Sequence, residues 1–212
     1  MDRIFDPSET TAAFRDAAHW WRSLVGGVDD HQWDKPGLGQ WNVRELVAHG
    51  ARAFRTISDY AEGETKDPTQ IATAAQYFRI VLAEQTPHIH IAARAKREAA
   101  LDTDWVEATE RYWNSADSVV SRLEPWEELH LFVGEMPIAQ YLATRVVELV
   151  VHGLDLSDAI DLPTPPPRRA ARVAFDVLVD LTPQEDLGLV LKALTGRGGL
   201  RPLTNVLDRP IN

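Results

Sequence analysis

The apolar residues of this chain recur mainly three and four positions apart. That spacing places them on one face of a helix, and glycines or prolines follow several of the apolar runs, as at helix ends. We find no convincing run of alternating apolar and polar residues, so the pattern predicts helices and no strand. The predicted helices span residues 8–25, 43–62, 69–85, 88–100, 103–123, 138–160, 168–181 and 185–195.

Local sequence signals predict where some of these helices begin. Ser8 is a plausible N-cap for the first helix. Asn42 and Glu45 form a capping box for the second, because the asparagine can accept from a backbone N–H three residues on and the glutamate can reach back. Asp102 or Thr103 can cap the helix that starts near position 103. Proline suits the first turn of a helix, so we expect Pro137 inside the start of the helix over 138–160.

These elements together predict an all-α protein, a four-helix bundle with short extra helices and a C-terminal helical extension. Four prolines at positions 163, 165, 166 and 167 indicate a stiff linker between two parts of the chain. We expect the bundle to occupy residues 1–162. Residues 163–212 are expected to form the Pro-rich linker and a helical extension that packs on the bundle.

Composition narrows the possible classes of function. The chain has 22 Lys and Arg against 32 Asp and Glu, a net charge of −10, which disfavours binding to nucleic acid or to anionic lipid. It has no cysteine, which excludes disulfides, cysteine–zinc sites and a cysteine nucleophile. The first residues lack the pattern of a signal peptide, and no apolar run is long enough for a transmembrane helix. We therefore expect a cytoplasmic protein.

The helix predicted over 138–160 carries an unusual polar stripe. Arg145, Glu148, His152 and Asp155 lie three, four and three residues apart, and most other positions are apolar. At about 100° per residue the four polar side chains share one face. Soluble helices normally show the opposite pattern, a narrow apolar stripe on a polar helix. The pattern predicts a buried helix whose stripe needs polar partners or a metal ion, because an unpaired buried charge costs several kcal/mol.

The spacing of Glu148 and His152 allows both side chains to bind one metal ion. A third ligand must come from another element, and His49 is the best candidate because it lies at the edge of the apolar face of the second helix. Two histidines and one glutamate leave coordination positions open, as in catalytic sites. The same residues are also compatible with a Glu–His hydrogen bond in a core, or with an Arg145–Glu148 ion pair.

Three further residues are candidates for catalysis. Arg145 could bind a substrate carboxylate or support Glu148. Asp155 could accept a hydrogen bond from a ligand histidine and fix its tautomer, or make a simple contact at the helix end. Arg197 follows a glycine, where it could help to hold an anion, or could be solvated after a Gly C-cap.

Three segments resemble a known family. Residues 41–49, WNVRELVAH, resemble the W-(T/N)-V-x-(E/D)-L-x-x-H segment of DinB/YfiT-like proteins. Residues 145–156, RVVELVVHGLDL, resemble the R-x-x-E-x-x-x-H-x-x-D segment of the mycothiol-dependent maleylpyruvate isomerase branch, and residues 194–197 are similar to its LTGR segment. The first two motifs together are fairly specific, and the resemblance covers roughly residues 8–200.

The resemblance implies a bundle that holds one divalent metal ion through His49, Glu148 and His152. We expect zinc, with nickel, manganese or iron as alternatives, because this ligand set does not select sharply. It also implies a low-molecular-weight thiol as cosubstrate, mycothiol in actinobacteria, and a small electrophilic substrate. A divalent cation lowers the pKa of a coordinated thiol, so the thiolate forms at neutral pH.

The sequence does not determine the class of reaction. An isomerase would add the thiolate to a cis double bond, allow rotation and release it, whereas an S-transferase would keep the thiol attached. A metal-binding or sensor protein without turnover, and a helical interaction module without metal, are the alternatives. The sequence leaves the choice between monomer and homodimer open.

Overall fold

Helices account for most of the structure, a computed structural model that describes residues 2–64, 69–83, 95–102 and 104–197. This confirms the prediction of an all-α fold. Residues 95–99 are helical, whereas most of the helix predicted over 88–100 lies outside the described residues. In chain order the other elements are α1 (Pro7–Gly26), α2 (Val43–Ala61), α3 (Ala74–Leu82), α4 (Trp105–Arg122), β1 (Glu128–Leu131), β2 (Gly134–Pro137), α5 (Ile138–Ala159), α6 (Arg168–Leu181) and α7 (Leu187–Leu194).

Helices α1, α2, α4 and α5 form the bundle. Helix α1 packs against α4 and α5, and α2 packs against the same two helices, so α1 and α2 lie on one diagonal. The hydroxyl of Tyr141 donates to Thr56 on α2, while His49, seven residues earlier on α2, lies beside Glu148. Helices α2 and α5 are therefore antiparallel. Most of the largest fully buried side chains belong to these helices, Trp21 and Tyr141 among them.

The start of α2 confirms the predicted capping box. The side chain of Asn42 accepts from the backbone N–H of Glu45 at 2.9 Å, and the carboxylate of Glu45 accepts from the backbone N–H of Asn42 at 3.0 Å. The start of α1 differs from the prediction, because the N-cap is Asp6 and not Ser8. The carboxylate of Asp6 accepts from the backbone N–H groups of residues 8 and 9, and proline occupies the first helical position.

Two other helix starts also differ. The N-cap of α4 is Asp104, whose side chain accepts from the backbone N–H of Glu107 at 2.9 Å, whereas Asp102 or Thr103 was expected. Thr103 lies outside the described residues. Pro137 is the N-cap residue of α5 and precedes the first turn. In each case the cap lies within two residues of the expected position, the usual uncertainty of a helix boundary.

A β-hairpin lies between α4 and α5, and the prediction that the chain contains no strand was wrong. Strands β1 and β2 pair antiparallel, with Leu131 opposite Gly134. The backbone of Glu135 also pairs with Thr69 and Ile71, by hydrogen bonds of 2.8 Å each. Residues 69–71 are thus extended, and α3 begins only at Ala74, after the expected start. Strand β1 alternates polar and apolar residues over four positions only, and β2 begins with glycine and ends with proline, which are depleted in strands, so the sequence signal is weak.

The C-terminal helices differ in how they attach to the bundle. Helix α6 packs against α1, α3 and α5. The backbone N–H of Arg3 donates to Asp180 on α6, and Arg79 on α3 donates to the backbone carbonyl of the same residue. Helix α7 has no buried residue. The division of the chain at residue 162 stays a prediction.

Helix α5 is buried on most of its sides, as its sequence pattern predicts. Its polar stripe nevertheless interrupts the apolar surface. Within the ranges that the structure describes, no helix is both long and apolar enough to cross a membrane.

One buried side chain holds the N-terminal segment on α5, and this contact can be tested. Gln140 is fully buried, accepts from the backbone N–H of Phe5 at 3.1 Å and donates to its carbonyl at 2.9 Å. We expect Gln140→Leu to lower the free energy of unfolding by about 2–4 kcal/mol, because two buried backbone groups lose their partners. Urea unfolding measures this change.

Gln76→Leu is the matched control. The side chain of Gln76 accepts from one exposed backbone N–H, that of Ala72, so its loss should cost less than about 1 kcal/mol. Equal losses in the two variants would contradict the role assigned to Gln140.

Candidate metal centre

The packing of α2 against α5 brings three predicted ligands together. The Nε2 atom of His49 lies 3.8 Å from Oε2 of Glu148, and Nε2 of His152 lies 3.4 Å from the same oxygen. One donor atom from each residue lies within 4.8 Å of the other two. The two imidazole rings meet edge to face, with centroids 4.8 Å apart. Residues 99 positions apart in the chain therefore form one cluster, which we call the His–Glu cluster (His49, Glu148 and His152).

The spacing of these donor atoms fits a divalent metal ion. Ligand atoms about 2.1 Å from a common ion, at tetrahedral angles, lie roughly 3.4 Å from one another. The two distances to Glu148 are close to this value, so small rotations of the side chains would suffice. Two imidazole nitrogens and a carboxylate suit zinc and other first-row divalent metals. The three side chains are 14–27% exposed, so solvent reaches the cluster.

Asp155 sets the orientation of the His152 ring. Its carboxylate Oδ2 lies 3.1 Å from Nδ1 of His152, one turn along α5. A carboxylate accepts hydrogen bonds, so Nδ1 carries the proton and Nε2 points toward Glu148. Nε2 of a neutral ring and the Glu148 carboxylate are both acceptors. A cation, either a proton or a metal ion, must therefore lie between them.

The pKa values of the metal-free cluster reflect this shared need for a cation. Burial opposes the charge of His152, but hydrogen bonds with Asp155 and Glu148 raise its pKa to about 9. Burial acts against the charge of Glu148 as well, yet the hydrogen bond from His152 and the charge of Arg145 lower its pKa to about 2. Burial and the nearby charge of His152 lower the pKa of His49 to about 3. At neutral pH His152 therefore carries a proton on both ring nitrogens, His49 is neutral and Glu148 is ionised.

Arg145 lies close to the cluster but does not form the ion pair with Glu148 that the spacing allowed. Its guanidinium lies against the rings of Tyr141 and Tyr77, at 4.6 and 5.7 Å from their centroids, and Nε donates to Thr144 at 3.0 Å. Within the described residues no carboxylate lies within 4.0 Å of it. The residue is only 6% exposed, so its charge acts through space and lowers the pKa of Glu148.

Arg197 is not brought near the cluster by any contact among the described residues. It is exposed and follows α7, and within the part of the chain that the structure describes its side chain hydrogen-bonds to the carbonyl of Thr195 alone, at 3.5 Å. Gly196 has φ +69°, and the backbone N–H of Arg197 donates to the carbonyl of Lys192, so the glycine ends the helix as the C-cap interpretation predicted. A catalytic role for Arg197 stays a prediction.

Two further residues shape the cluster, and neither was among the predicted site residues. The ring of Trp41 lies 4.7 Å from the His49 ring and 6.5 Å from that of His152, and covers one side of the cluster. Arg52 acts electrostatically on His49 and forms an ion pair with buried Glu98. Its position three residues after His49, on the same helix face, is the signal that could have identified it.

A comparison with protein-family models identifies the family. The model described as mycothiol maleylpyruvate isomerase N-terminal domain matches residues 14–157. These residues include α2 and α4 in full, nearly all of α5 and the whole His–Glu cluster. No match to the chain was found among curated proteins or solved structures. Because the match spans well over half of the chain and includes both motifs that suggested it, the chain belongs to the mycothiol maleylpyruvate isomerase N-terminal domain family.

Proposed function

We propose that the protein is a divalent-metal-dependent enzyme that uses mycothiol as a cosubstrate and acts on a small electrophile, as an isomerase or an S-transferase. The observation that carries the proposal is the convergence of His49, Glu148 and His152 from two antiparallel helices, with the cluster still reachable from solvent. We expect zinc in the site, with nickel, manganese or iron as alternatives. We also expect the protein to act in the cytoplasm.

In this proposal the residues of the cluster hold the ion and its neighbours prepare them. When bound, a divalent cation lowers the pKa of a coordinated thiol, so that a thiolate is available at neutral pH. Asp155 keeps the proton on Nδ1 of His152, which leaves Nε2 as a ligand. Trp41 keeps water from one side of His49.

The charges around the cluster favour anionic reactants. Glu148 and Asp155 together would balance a divalent cation, and Arg145 adds a positive charge that no described carboxylate pairs within 4.0 Å. This excess of positive charge would favour the thiolate and a substrate with an anionic group such as a carboxylate. Addition of a thiolate to an electron-poor double bond, followed by rotation and release, would regenerate the thiol.

A metal-binding protein without turnover is the second candidate. It is favoured by the position of Arg197, which lies at the exposed end of α7 without a described contact to the cluster. Without Arg197, the residues at the cluster would still hold a metal ion, but one of the three predicted catalytic residues would be missing.

Metal content tests the ligand assignment. We expect about one divalent ion per purified chain, and a loss of most of that metal in His49→Ala and in His152→Ala, because two ligands hold an ion far more weakly than three. Elemental analysis by mass spectrometry measures the ratio. His19→Ala, an exposed histidine on α1, is the matched control and should retain the metal. Equal metal content in all four proteins would contradict the assignment.

The proton on His152 makes metal binding depend on pH. The pKa of His152 is raised to about 9 and that of His49 is lowered to about 3, so at pH 7 only His152 must lose a proton when an ion binds. We expect release of about one proton per ion, and affinity that rises about tenfold per pH unit up to about pH 9. Titration calorimetry in two buffers of different ionisation enthalpy measures the released protons.

Asp155→Asn serves as the control for this pH dependence. Removal of the carboxylate should lower the pKa of His152, so the variant should release fewer protons at pH 7 and bind the ion about 10–100-fold more weakly. Binding without proton release in the original protein would show that the cluster does not hold the ion as assigned.

Turnover separates the two candidate functions. The metal-loaded protein is incubated with mycothiol and with maleylpyruvate or another electron-poor alkene or halide. An isomerase converts the cis substrate without consuming the thiol, whereas an S-transferase yields a thioether that mass spectrometry detects. We expect one of these outcomes, abolished in Glu148→Gln and retained in His19→Ala. Metal binding without thiol binding or conversion would support the non-catalytic candidate.

A further inference from the structure

Two adjacent indole rings on α1 contact both helices that carry the His–Glu cluster. Trp20 lies against Gly153 on α5, and Trp21 lies against Gly50 on α2. Both tryptophans are buried, at 5% and 0% exposure. Each of the two glycines directly follows a histidine of the cluster, in the dipeptides His49-Gly50 and His152-Gly153. The rings therefore contact the backbone one residue away from each imidazole.

The contacts are too close for any side chain larger than hydrogen. A Cβ atom placed on Gly50 would have its three nearest neighbours in the six-membered ring of Trp21, all within 3.0 Å. A Cβ atom on Gly153 would meet the ring of Trp20 in the same way. Carbon atoms in contact lie about 3.5–4.0 Å apart, so both substitutions would force a helix or a ring to move. Glycine inside a helix lowers stability by roughly 0.5–1 kcal/mol relative to alanine, so two such glycines beside the histidines need a structural reason.

Shape alone holds the two rings in place. The Nε1 atoms of Trp20 and Trp21 are buried, and neither has a hydrogen-bond partner among the residues that the structure describes. An unsatisfied buried donor costs about 1–3 kcal/mol. The position of each ring is therefore determined by its fit against a glycine and not by a hydrogen bond.

Because of the arrangement of the helices in the bundle, the fit of the two rings against the glycines affects the spacing of α2 and α5 at the His–Glu cluster. Consecutive residues of a helix point about 100° apart. Trp20 therefore faces the neighbouring helix α5, while Trp21 reaches across the diagonal to α2. The two rings together determine how far apart α2 and α5 lie at the level of the histidines. Metal–ligand distances tolerate deviations of only about 0.2 Å, so a small change in the spacing of the two helices would weaken metal binding.

We propose that Trp20 and Trp21, seated on Gly153 and Gly50, are positioning residues that hold His49 and His152 at the separation needed for a shared ligand. Their indole nitrogens form no hydrogen bond to either described imidazole, and the rings act through the backbone of the two glycines. The inference rests on the proposed metal function for its purpose. The positioning itself can be measured without a metal.

The first test measures the distance between the two imidazoles in the metal-free protein. Their ring centroids lie 4.8 Å apart, so a nuclear Overhauser effect between their ring protons is expected in the original protein. It should be lost or clearly weakened in Gly50→Ala and in Gly153→Ala. Gly188→Ala is the matched control, because Gly188 lies in helix α7 with nothing within 4 Å of an added Cβ.

The second test measures cobalt(II) affinity and the visible spectrum of the cobalt-loaded protein. We expect both alanine variants to bind cobalt at least about tenfold more weakly, with a changed visible spectrum and unchanged helical circular dichroism. Adding Trp20→Leu to Gly153→Ala removes the ring that the new methyl group meets, so the double variant should recover part of the affinity. If an alanine variant does not fold, Trp20→Phe and Trp21→Phe provide the same comparison with a smaller ring.

The outcomes separate the two proposals. Alanine variants that keep both the imidazole contact and the cobalt affinity of the original protein would overturn the positioning role. If the original protein binds no cobalt or zinc, but the imidazole contact depends on the two glycines, the proposed metal function fails while the positioning role stands. Loss of the contact and of affinity together in both variants supports both.

Discussion

The candidate metal centre depends on the antiparallel packing of α2 against α5. Only this packing places an imidazole from one helix opposite a Glu–His pair, four residues apart, on the other. The three donor atoms then lie in a partly desolvated space, where acceptors facing one another are costly unless a cation lies between them. The proton that the metal-free cluster keeps on His152 meets this need with a single charge. A divalent ion would supply two positive charges and would accept lone pairs from all three residues.

The residues around the His–Glu cluster favour the protonation states that its ligands need. Asp155 stabilises a proton on Nδ1 of His152, which is required in the protonated ring and in the ligand form alike. The hydrogen bond from His152 and the charge of Arg145 lower the pKa of Glu148, and Arg145 acts from between aromatic rings without occupying the carboxylate. An arginine in direct ion-pair contact would have used the oxygen atoms that the two histidines face. The separation between Arg145 and Glu148 thus leaves the carboxylate free to act as a ligand.

The sequence predicted those parts of this arrangement that depend only on residues within one segment of the chain. The polar stripe of α5 and the capping box at Asn42 follow from spacing within one segment, and both were correct. His49 was selected by its place at the edge of an apolar face and by the family motif, and the structure places it beside the pair on α5. The late start of α3 and the packing of Tyr77 on Arg145 depend on residues distant in the chain. Such contacts leave no local period in the sequence, so they could not be predicted.

Two departures from the usual rules of helix stability lie next to the cluster. Helices α2 and α5 each carry an interior glycine beside a histidine, and the two indole N–H groups that pack there have no hydrogen-bond partner among the described residues. The side chain of Gln140, in contrast, satisfies both backbone groups of Phe5. Replacing either glycine alone would not gain stability, because an added Cβ atom would meet an indole ring; the glycines and the rings are matched to one another. Their presence at one level of the bundle is explained if that level must hold two imidazoles at a fixed separation, because local rules are most often broken where a site requires it.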